Sequence, residues 1–421
     1  MPKITSWVPV APESDFSIYN LPYGAFRRNG AAPRLGIAIG EEVLDLHAAA
    51  GAGLFDGVCA REMLEAPALN PLLAAGPQVW KPLRQRIAAL LRSDTESDAA
   101  LRSLNLAQLF AKQRDVAMTM PMHVGDYVDF YSSIEHATNL GRMFRPQGEA
   151  LMPNWRWIPI GYHGRSSTIV VDGTPIVRPR GQRKLPNAET PVFGPTERLD
   201  IELEVGFITG PGNAMGTPIP ASAAREHIFG LVLVNDWSAR DIQSWEYQPL
   251  GPFLGKSFAT TISPWVVTLD ALEPFRKKGP EQHPAPLEYL RTPEPWAYEI
   301  ELAVELETAS MRAAKRPPVT ISTTTFANMY WNMAQQLAHA SANGTAVRPG
   351  DLYASGTISG STPNSQGSFI ELSWNGATPI TLPGGERRSF LEDGDEVILR
   401  GWCREGDLRV GFGCARGRIT S

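Results

Sequence analysis

Cysteine is scarce in this chain, with only Cys59, Cys403 and Cys414 among 421 residues, none in a metal-ligand spacing. An odd count in so long a chain excludes a disulfide scaffold and points to reduced thiols, although Cys403 and Cys414 could approach each other. No uninterrupted apolar run approaches the roughly 18 residues that a membrane span needs. The first residues, Met1-Pro2-Lys3-Ile4-Thr5-Ser6-Trp7, lack the charged-then-apolar order of a secretory signal. A cytoplasmic protein without a membrane segment is expected, and the sequon Asn343-Gly344-Thr345 is then incidental. Runs of like charge are also missing. The formal net charge is -5 with both signs interspersed, which leaves no basic surface for nucleic acid.

Several catalytic signatures are absent as well. No pair of histidines has zinc-ligand spacing, and no Gly-x-Ser-x-Gly elbow occurs. The stretch Gly251 to Ser257 is not a phosphate-binding loop, because position 250, where its first glycine would stand, is Leu250. Gly411-Phe412-Gly413-Cys414-Ala415-Arg416-Gly417 misses the dinucleotide fingerprint by one place, and too little chain follows it for the required helix and strand.

What is present is a chain long enough for two domains, 43% hydrophobic and 20% charged, with 38 glycines and 36 prolines spread along it. Up to about residue 50 the chain reads as short strands and turns. Trp80 to Phe110 reads as mainly helical, with Leu83, Ile87, Leu90 and Leu91 at helical spacing. Periodicity fades from Lys112 to Met122, so the domain boundary is placed near 118. Strands are expected beyond it at Ser167–Val171, Ile228–Val234 and Tyr298–Leu306, with hairpins from Glu396 to Ile419. One long helix is expected after Thr325, burying Phe326, Met329, Tyr330, Met333 and Leu337. The fold class is therefore mostly β with some α.

The chemistry-bearing residues cluster in short segments. Glu202 and Glu204 stand two apart in a strand, so both carboxylates project from one face; in isolation such a pair is the ordinary polar face of a half-buried strand. Asp236 ends the apolar strand Leu231–Asn235, where Ser238 and Asp241 suggest a capping box for a helix. That helix would carry Arg240, Gln243 and Tyr247 on one face, which either meets water or donates hydrogen bonds toward one point. Asp129 and Tyr131 approach a short helix capped by Ser132 or Ser133, with His136 in its first or second turn. An acid-rich, sulfur-poor set favours oxygen ligation and hence Mg²⁺ or Ca²⁺.

These segments, together with Gly161-Tyr162-His163-Gly164-Arg165, Gly255-Lys256-Ser257-Phe258, Ala354-Ser355-Gly356-Thr357 and Glu371-Leu372-Ser373-Trp374, resemble the fumarylacetoacetate hydrolase superfamily from Pro9 to the C-terminus. His136, Tyr247 and the N-terminal region are similar to its fumarylacetoacetase branch. The resemblance implies an N-terminal SH3-like β-barrel over residues 1–118 and a catalytic mixed β-sandwich roll over 119–421, paired as a homodimer. It implies Mg²⁺ or Ca²⁺ at Asp129, Glu202, Glu204 and Asp236, with Lys256 and Thr260 completing the surrounding shell. It makes His136 the base that activates water, oriented by Glu371. Arg240, Gln243 and Lys256 would stabilise the oxyanion, and Tyr131, Arg145, Tyr162, Gln243, Tyr247 and Thr357 would bind a small diketo acid. The implied activity is hydrolysis of fumarylacetoacetate to fumarate and acetoacetate in tyrosine and phenylalanine breakdown. Hydrolysis of an acylpyruvate, a decarboxylase or isomerase reaction, and a non-catalytic metal-binding protein are the alternatives.

Overall fold

The computed structural model describes residues 4–94, 97–185 and 187–421. It is mostly β with some α, as the sequence implies. The N-terminal part is a half-barrel of five antiparallel strands in the order Phe110–Lys112, Glu42–Asp45, Arg34–Ile39, Tyr23–Arg27 and Ala117–Thr119. Against it lies the helix Pro77–Leu91, which buries Leu83, Ile87, Leu90 and Leu91 on the stripe that the 3.6-residue period marks out. Among the described residues, no helix is long and apolar enough to cross a membrane.

An eight-stranded sheet forms the centre of the molecule. Its strands run in the order Gly161–His163, Tyr127–Phe130, Leu352–Ala354, Leu203–Thr209, Ile228–Asp236, Thr260–Ile262 and Ile169–Val171, with Val267–Thr268 also paired to Ile228–Asp236. The strand Ile228–Asp236 is buried at every position, because both faces are covered. Leu231 and Leu233 face a core shared with the second, five-stranded sheet, which includes Leu302, Val304, Leu399, Val410 and Phe412. Val232 and Val234 face a core shared with Tyr23, Leu83, Ile87 and other N-terminal residues. The central sheet is thus the middle layer between the N-terminal half-barrel and the C-terminal sheet. The two parts are also sewn together through the backbone of Tyr23 and Val266, whose N–H groups each donate to the other's carbonyl at 3.0 and 2.7 Å.

Two expectations about helices need correction. The long helix after Thr325 is two pieces: a 3-10 turn, Phe326–Asn328, and an α-helix, Met333–Ser341. Asn332 starts the second with a full capping box, its side chain accepting from Gln335 N and Gln335 reaching back to Asn332 N. The apolar stripe is buried all the same, since tertiary packing takes Phe326, Met329 and Tyr330 in extended and turn conformations. The expected capping box at Ser238 does not form. Ser238 and Ala239 continue as a two-residue strand against Leu199–Asp200, and the helix Arg240–Glu246 begins without a side-chain cap. Asp241 instead accepts from the hydroxyl of Thr196 and from Glu197 N, tying the helix to the preceding segment. The strand at Ser167–Val171 likewise starts later, at Ile169.

Candidate active site

Sheet register gathers the acidic residues at one rim of the central sheet. Asp129 pairs with Tyr162 on one side and Ala354 on the other; Asp236 pairs with Thr260. Glu204 lies opposite Val234, one strand over. Because side chains alternate along a strand, Asp129 shares a face with Tyr127, Glu204 with Ile208, and Asp236 with Val234, and all three neighbours pack toward the N-terminal part. The carboxylates stand where that apolar cover ends. Gly356 permits the crowding: its φ is +79°, a Cβ there would sit 2.2 Å from Phe130 O, and its N–H donates to Glu204 Oε2 at 3.0 Å.

Asp129, Glu202, Glu204 and Asp236 each bring a carboxylate oxygen within 4.8 Å of the others, and all four side chains are buried. Lys256 sits among them, its Nζ donating to Glu202 and, at 2.6 Å, to Asp236 Oδ2. Thr260 Oγ1 donates to Asp236 Oδ1 at 3.1 Å, and Tyr162 OH to Asp236 Oδ2 at 3.0 Å. The Lys256 ammonium and the Arg240 guanidinium, which is 2.7 Å from Glu202 Oε1, against four carboxylates still leave an excess of negative charge. Burial first, and then repulsion from neighbouring carboxylates, push Asp129 and Glu204 well above the usual carboxylate range. Burial also acts upward on Glu202, but Lys256 and Arg240 outweigh it and hold its carboxyl at about 2. Asp129 Oδ1 and Glu204 Oε1 are buried with no hydrogen-bond partner. Unpartnered buried carboxylate oxygens this close together fit a hard, oxygen-liganded cation, which would supply the missing partners and neutralise most of the excess charge. Lys256 and Thr260 act on that set as donors to Asp236 and, for Lys256, Glu202. An ammonium cannot itself be a ligand.

His136 lies in the helix Ile134–Phe144, whose N-cap Ser133 accepts from His136 N at 3.3 Å. Its Nδ1 is 2.6 Å from Glu371 Oε2, and both side chains are fully enclosed. Glu371 also receives Asn139 Nδ2 at 2.9 Å, Ser359 Oγ at 2.8 Å and Ser368 Oγ at 2.7 Å. Burial acts upward on this carboxyl, but the charge of His136 and the bonds from His136, Asn139 and Ser368 win and hold it below its ordinary value. An ionised Glu371 accepts from Nδ1–H, which leaves Nε2 as the basic nitrogen.

A cavity of about 460 Å³ joins the two groups. Asp129, Tyr131, His136, Arg145, Tyr162, Glu202, Arg240, Gln243, Tyr247, Lys256 and Thr357 all line it, so the structure brings together nearly every residue singled out from the sequence. Glu204, Asp236 and Thr260 lie in the wall behind Asp129 and Lys256, and Glu371 behind His136. Tyr247 is the residue that ends the helix rather than part of its last turn, and it still points into the same space. Arg145 sits at the exposed mouth, where its guanidinium holds the carbonyls of Glu149 and Ala150. Arg240 Nη2 and Thr357 Oγ1 are buried and unpartnered. Phe130, Leu140, Phe144, Ile160 and Leu250 supply an apolar wall that the motifs did not reveal. Asn139, Ser359, Ser368 and Asp200 were also missed. Asn139 was readable, because it follows His136 by three residues and so shares its helix face; the serines arrive from a separate loop and had no local signal.

A cavity with a mainly apolar wall, a carboxylate-backed imidazole on one side and a cation-ready carboxylate cluster on the other suits a hydrolase. The fold is that of a fumarylacetoacetate hydrolase from psychrophilic Exiguobacterium antarcticum, which aligns with a TM-score of 0.52 at 16% identity over 95% of this chain and 99% of that one. Maleylpyruvate hydrolase from Sphingobium aligns at 0.50 and 15%, over 95% and 99%. Sequence comparison is more specific. The profile of the fumarylacetoacetate hydrolase C-terminal region matches residues 127–420, and that of the fumarylacetoacetase N-terminal region matches 19–121. Human fumarylacetoacetase is 50% identical over 98% of both chains, and the Arabidopsis thaliana enzyme 47% identical over 100% of this chain and 99% of its own. The chain belongs to the fumarylacetoacetate hydrolase family.

Proposed function

We propose that this protein hydrolyses the carbon–carbon bond of 4-fumarylacetoacetate, giving fumarate and acetoacetate, the last step of tyrosine and phenylalanine breakdown. The observation that carries the reading is the His136–Glu371 pair facing, across one cavity, the carboxylate set of Asp129, Glu202, Glu204 and Asp236. Full-length relatives named for this reaction support the substrate.

In this reading His136 Nε2 takes a proton from water as its oxygen bonds to the carbonyl carbon of the fumaryl group, the one joined to the acetoacetate carbon. Glu371 holds the ring and stabilises the imidazolium that forms. Arg240, Gln243 and Lys256 donate to the oxygen that becomes an oxyanion; loss of one such donor typically costs ~10²–10³ in rate. Arg240 Nη2 is unpartnered and free for that role. Collapse of the tetrahedral adduct breaks the carbon–carbon bond and releases acetoacetate as its enolate, which the imidazolium protonates at carbon. Tyr131, Tyr162, Tyr247 and Thr357 position the substrate's oxygens, and Arg145 at the mouth takes a terminal carboxylate. A Mg²⁺ or Ca²⁺ ion held by Asp129, Glu202, Glu204 and Asp236 would supply a Lewis acid for the 1,3-dicarbonyl end.

The same reading divides the chain near residue 118 and places a homodimer in the cytoplasm. Three free thiols suit a reducing compartment, and the exposed Phe193, Trp245, Leu250, Phe253 and Leu254 offer apolar surface to a second copy. Sedimentation at micromolar concentration should give twice the chain mass. Turnover of fumarylacetoacetate, followed by loss of the diketone chromophore and compared with acylpyruvates, tests the substrate. Faster turnover of an acylpyruvate would overturn the assignment, and full activity after chelation would remove the cation from it.

A further inference from the structure

Arg240 and Glu371 come from segments more than a hundred residues apart and do not touch, yet one buried carboxylate holds both. Asp200 is fully enclosed. Its Oδ2 accepts from Arg240 Nε at 2.8 Å and from Ile370 N at 3.0 Å, and its Oδ1 from Phe369 N at 2.6 Å and Ile201 N at 2.7 Å. Phe369 and Ile370 open the four-residue helix that carries Glu371. A helix this short cannot hold its own orientation. Its N-cap, Ser368, does not cap it, since that hydroxyl is spent on Glu371 itself. The two amides that would otherwise be orphaned are met from outside, by Asp200. On the other side, the bond to Nε, with those from Nη1 to Glu202 Oε1 at 2.7 Å and Gln243 Oε1 at 3.3 Å, fixes the guanidinium plane and leaves Nη2 free.

We propose that Asp200 is a positioning residue that locks the oxyanion-binding arginine and the carboxylate behind the base into one fixed geometry. The proposal rests on the roles given above to Arg240 and Glu371. A carboxylate shared in this way makes the two arms a unit: if the helix of Glu371 turns, the guanidinium must move with it. Arg240 and Glu371 then work only together, because a reacting carbon has to lie within reach of both the water held by His136 and the donor on Arg240. A plain counter-ion to Arg240 would need only one of the four bonds. The two amides of Phe369 and Ile370 are what the coupling requires.

The test uses the metal-loaded full-length enzyme and the variants Asp200→Asn, Arg240→Lys and Glu371→Gln, with the two doubles that contain D200N. D200N should lower kcat by on the order of 10²-fold with KM changed no more than about threefold, as expected for a loss of positioning. In the E371Q and R240K backgrounds the same change should cost less than about threefold, because the unit is already broken. The low-field proton resonance of His136 Nδ1–H should move in D200N and also in R240K, which keeps the charge and touches neither His136 nor Glu371. Wild-type kcat in D200N, or an equal fold-loss in every background, overturns the proposal. Should D200N fail to fold, R240K decides alone: an unmoved Nδ1–H resonance overturns it. If E371Q and R240K both retain wild-type kcat, the functional reading of the site falls, and this inference with it; a loss in those two but not in D200N sinks the inference alone.

Discussion

Around His136 the polar groups are saturated, whereas around Asp129 and Glu204 they are not. Glu371 receives four donors, keeps its charge and leaves one nitrogen of the imidazole for chemistry. Across the cavity, four carboxylates meet one ammonium and, at Glu202, one guanidinium, and two buried oxygens have no partner at all. Both groups are equally buried, so desolvation is the same problem for each. The difference is how it is answered. The histidine side is completed by the protein's own donors and is ready before anything binds. The acidic side is left incomplete in a way that a cation, or protonation of Asp129 and Glu204, relieves, which couples its stability to the ion and to pH.

That contrast can be broken in several ways. The largest effect is expected from His136→Ala, which should lower kcat by roughly 10²–10⁴ while cation binding, followed by calorimetry, stays unchanged. A loss below about tenfold would remove His136 as the base. Glu204→Gln should do the reverse. It should weaken cation binding by at least about tenfold, as deleting one charged ligand does, and raise the melting temperature of the chelated protein by on the order of 2 °C, since one repelling charge is gone. A chelated variant that melts below the wild type would mean that Glu204 is not repelled in the empty cluster. Asn139→Ala removes one of four donors to Glu371, and a fall in kcat of roughly tenfold is expected, in line with outer-shell partners elsewhere.

The smallest effect is the pH dependence of melting. Asp129 and Glu204 have raised folded-state values, through burial first and neighbouring charge second. A carboxyl raised in the folded state favours folding while it is protonated, and that advantage is lost as the pH rises from the unfolded value toward the folded one. The chelated protein should therefore melt at progressively lower temperature as the pH is raised above the ordinary carboxylate range, and saturating cation should flatten the decline. Glu202, held at about 2, and Glu371, also lowered, act oppositely: their contribution is present above the ordinary value and is lost on acidification. Melting curves at several pH values, with and without chelator, separate the two. A chelated protein whose melting point climbs over the upper interval would contradict the raised pair.

Much of this was legible in the chain. Glu202 and Glu204 do converge, as the alternation from Ile201 to Val205 suggested, although the strand breaks at Ile201 and Glu202 and resumes at Leu203. Of the two expected caps, Ser132 and Ser133, it is Ser133 that starts the helix and puts His136 in its first turn. The apolar run Ile228–Val234 forms a strand that continues to Asp236, whereas Tyr298–Leu306 is split between a two-residue strand ending at Tyr298 and the strand Glu301–Glu307 of another sheet. The helix boundaries at Asn332 and Arg240 were misjudged because capping residues compete locally, and the winner is chosen by what the neighbouring segments offer. At Arg240 the offer came from Thr196 and Glu197, which engaged Asp241.

Residue type and spacing alone thus determined a mostly β protein with an acid-rich, sulfur-poor set that favours oxygen ligation; the particular ligand set and the role of His136 came from the resemblance. Type and spacing reach that far because alternation and capping are local, set by backbone geometry within a few residues. Residue spacing did not place Glu371, from a helix over two hundred residues away, behind His136; the resemblance implied that pair, and the tertiary structure shows it. The tertiary structure alone decided that Asp200 joins the helix of Glu371 to Arg240. It also decided that the carboxylates are buried and short of partners instead of solvated on a sheet face. Burial depends on which layers cover which face. That is settled by the long-range packing of the N-terminal half-barrel against the central sheet, and no window of sequence contains it.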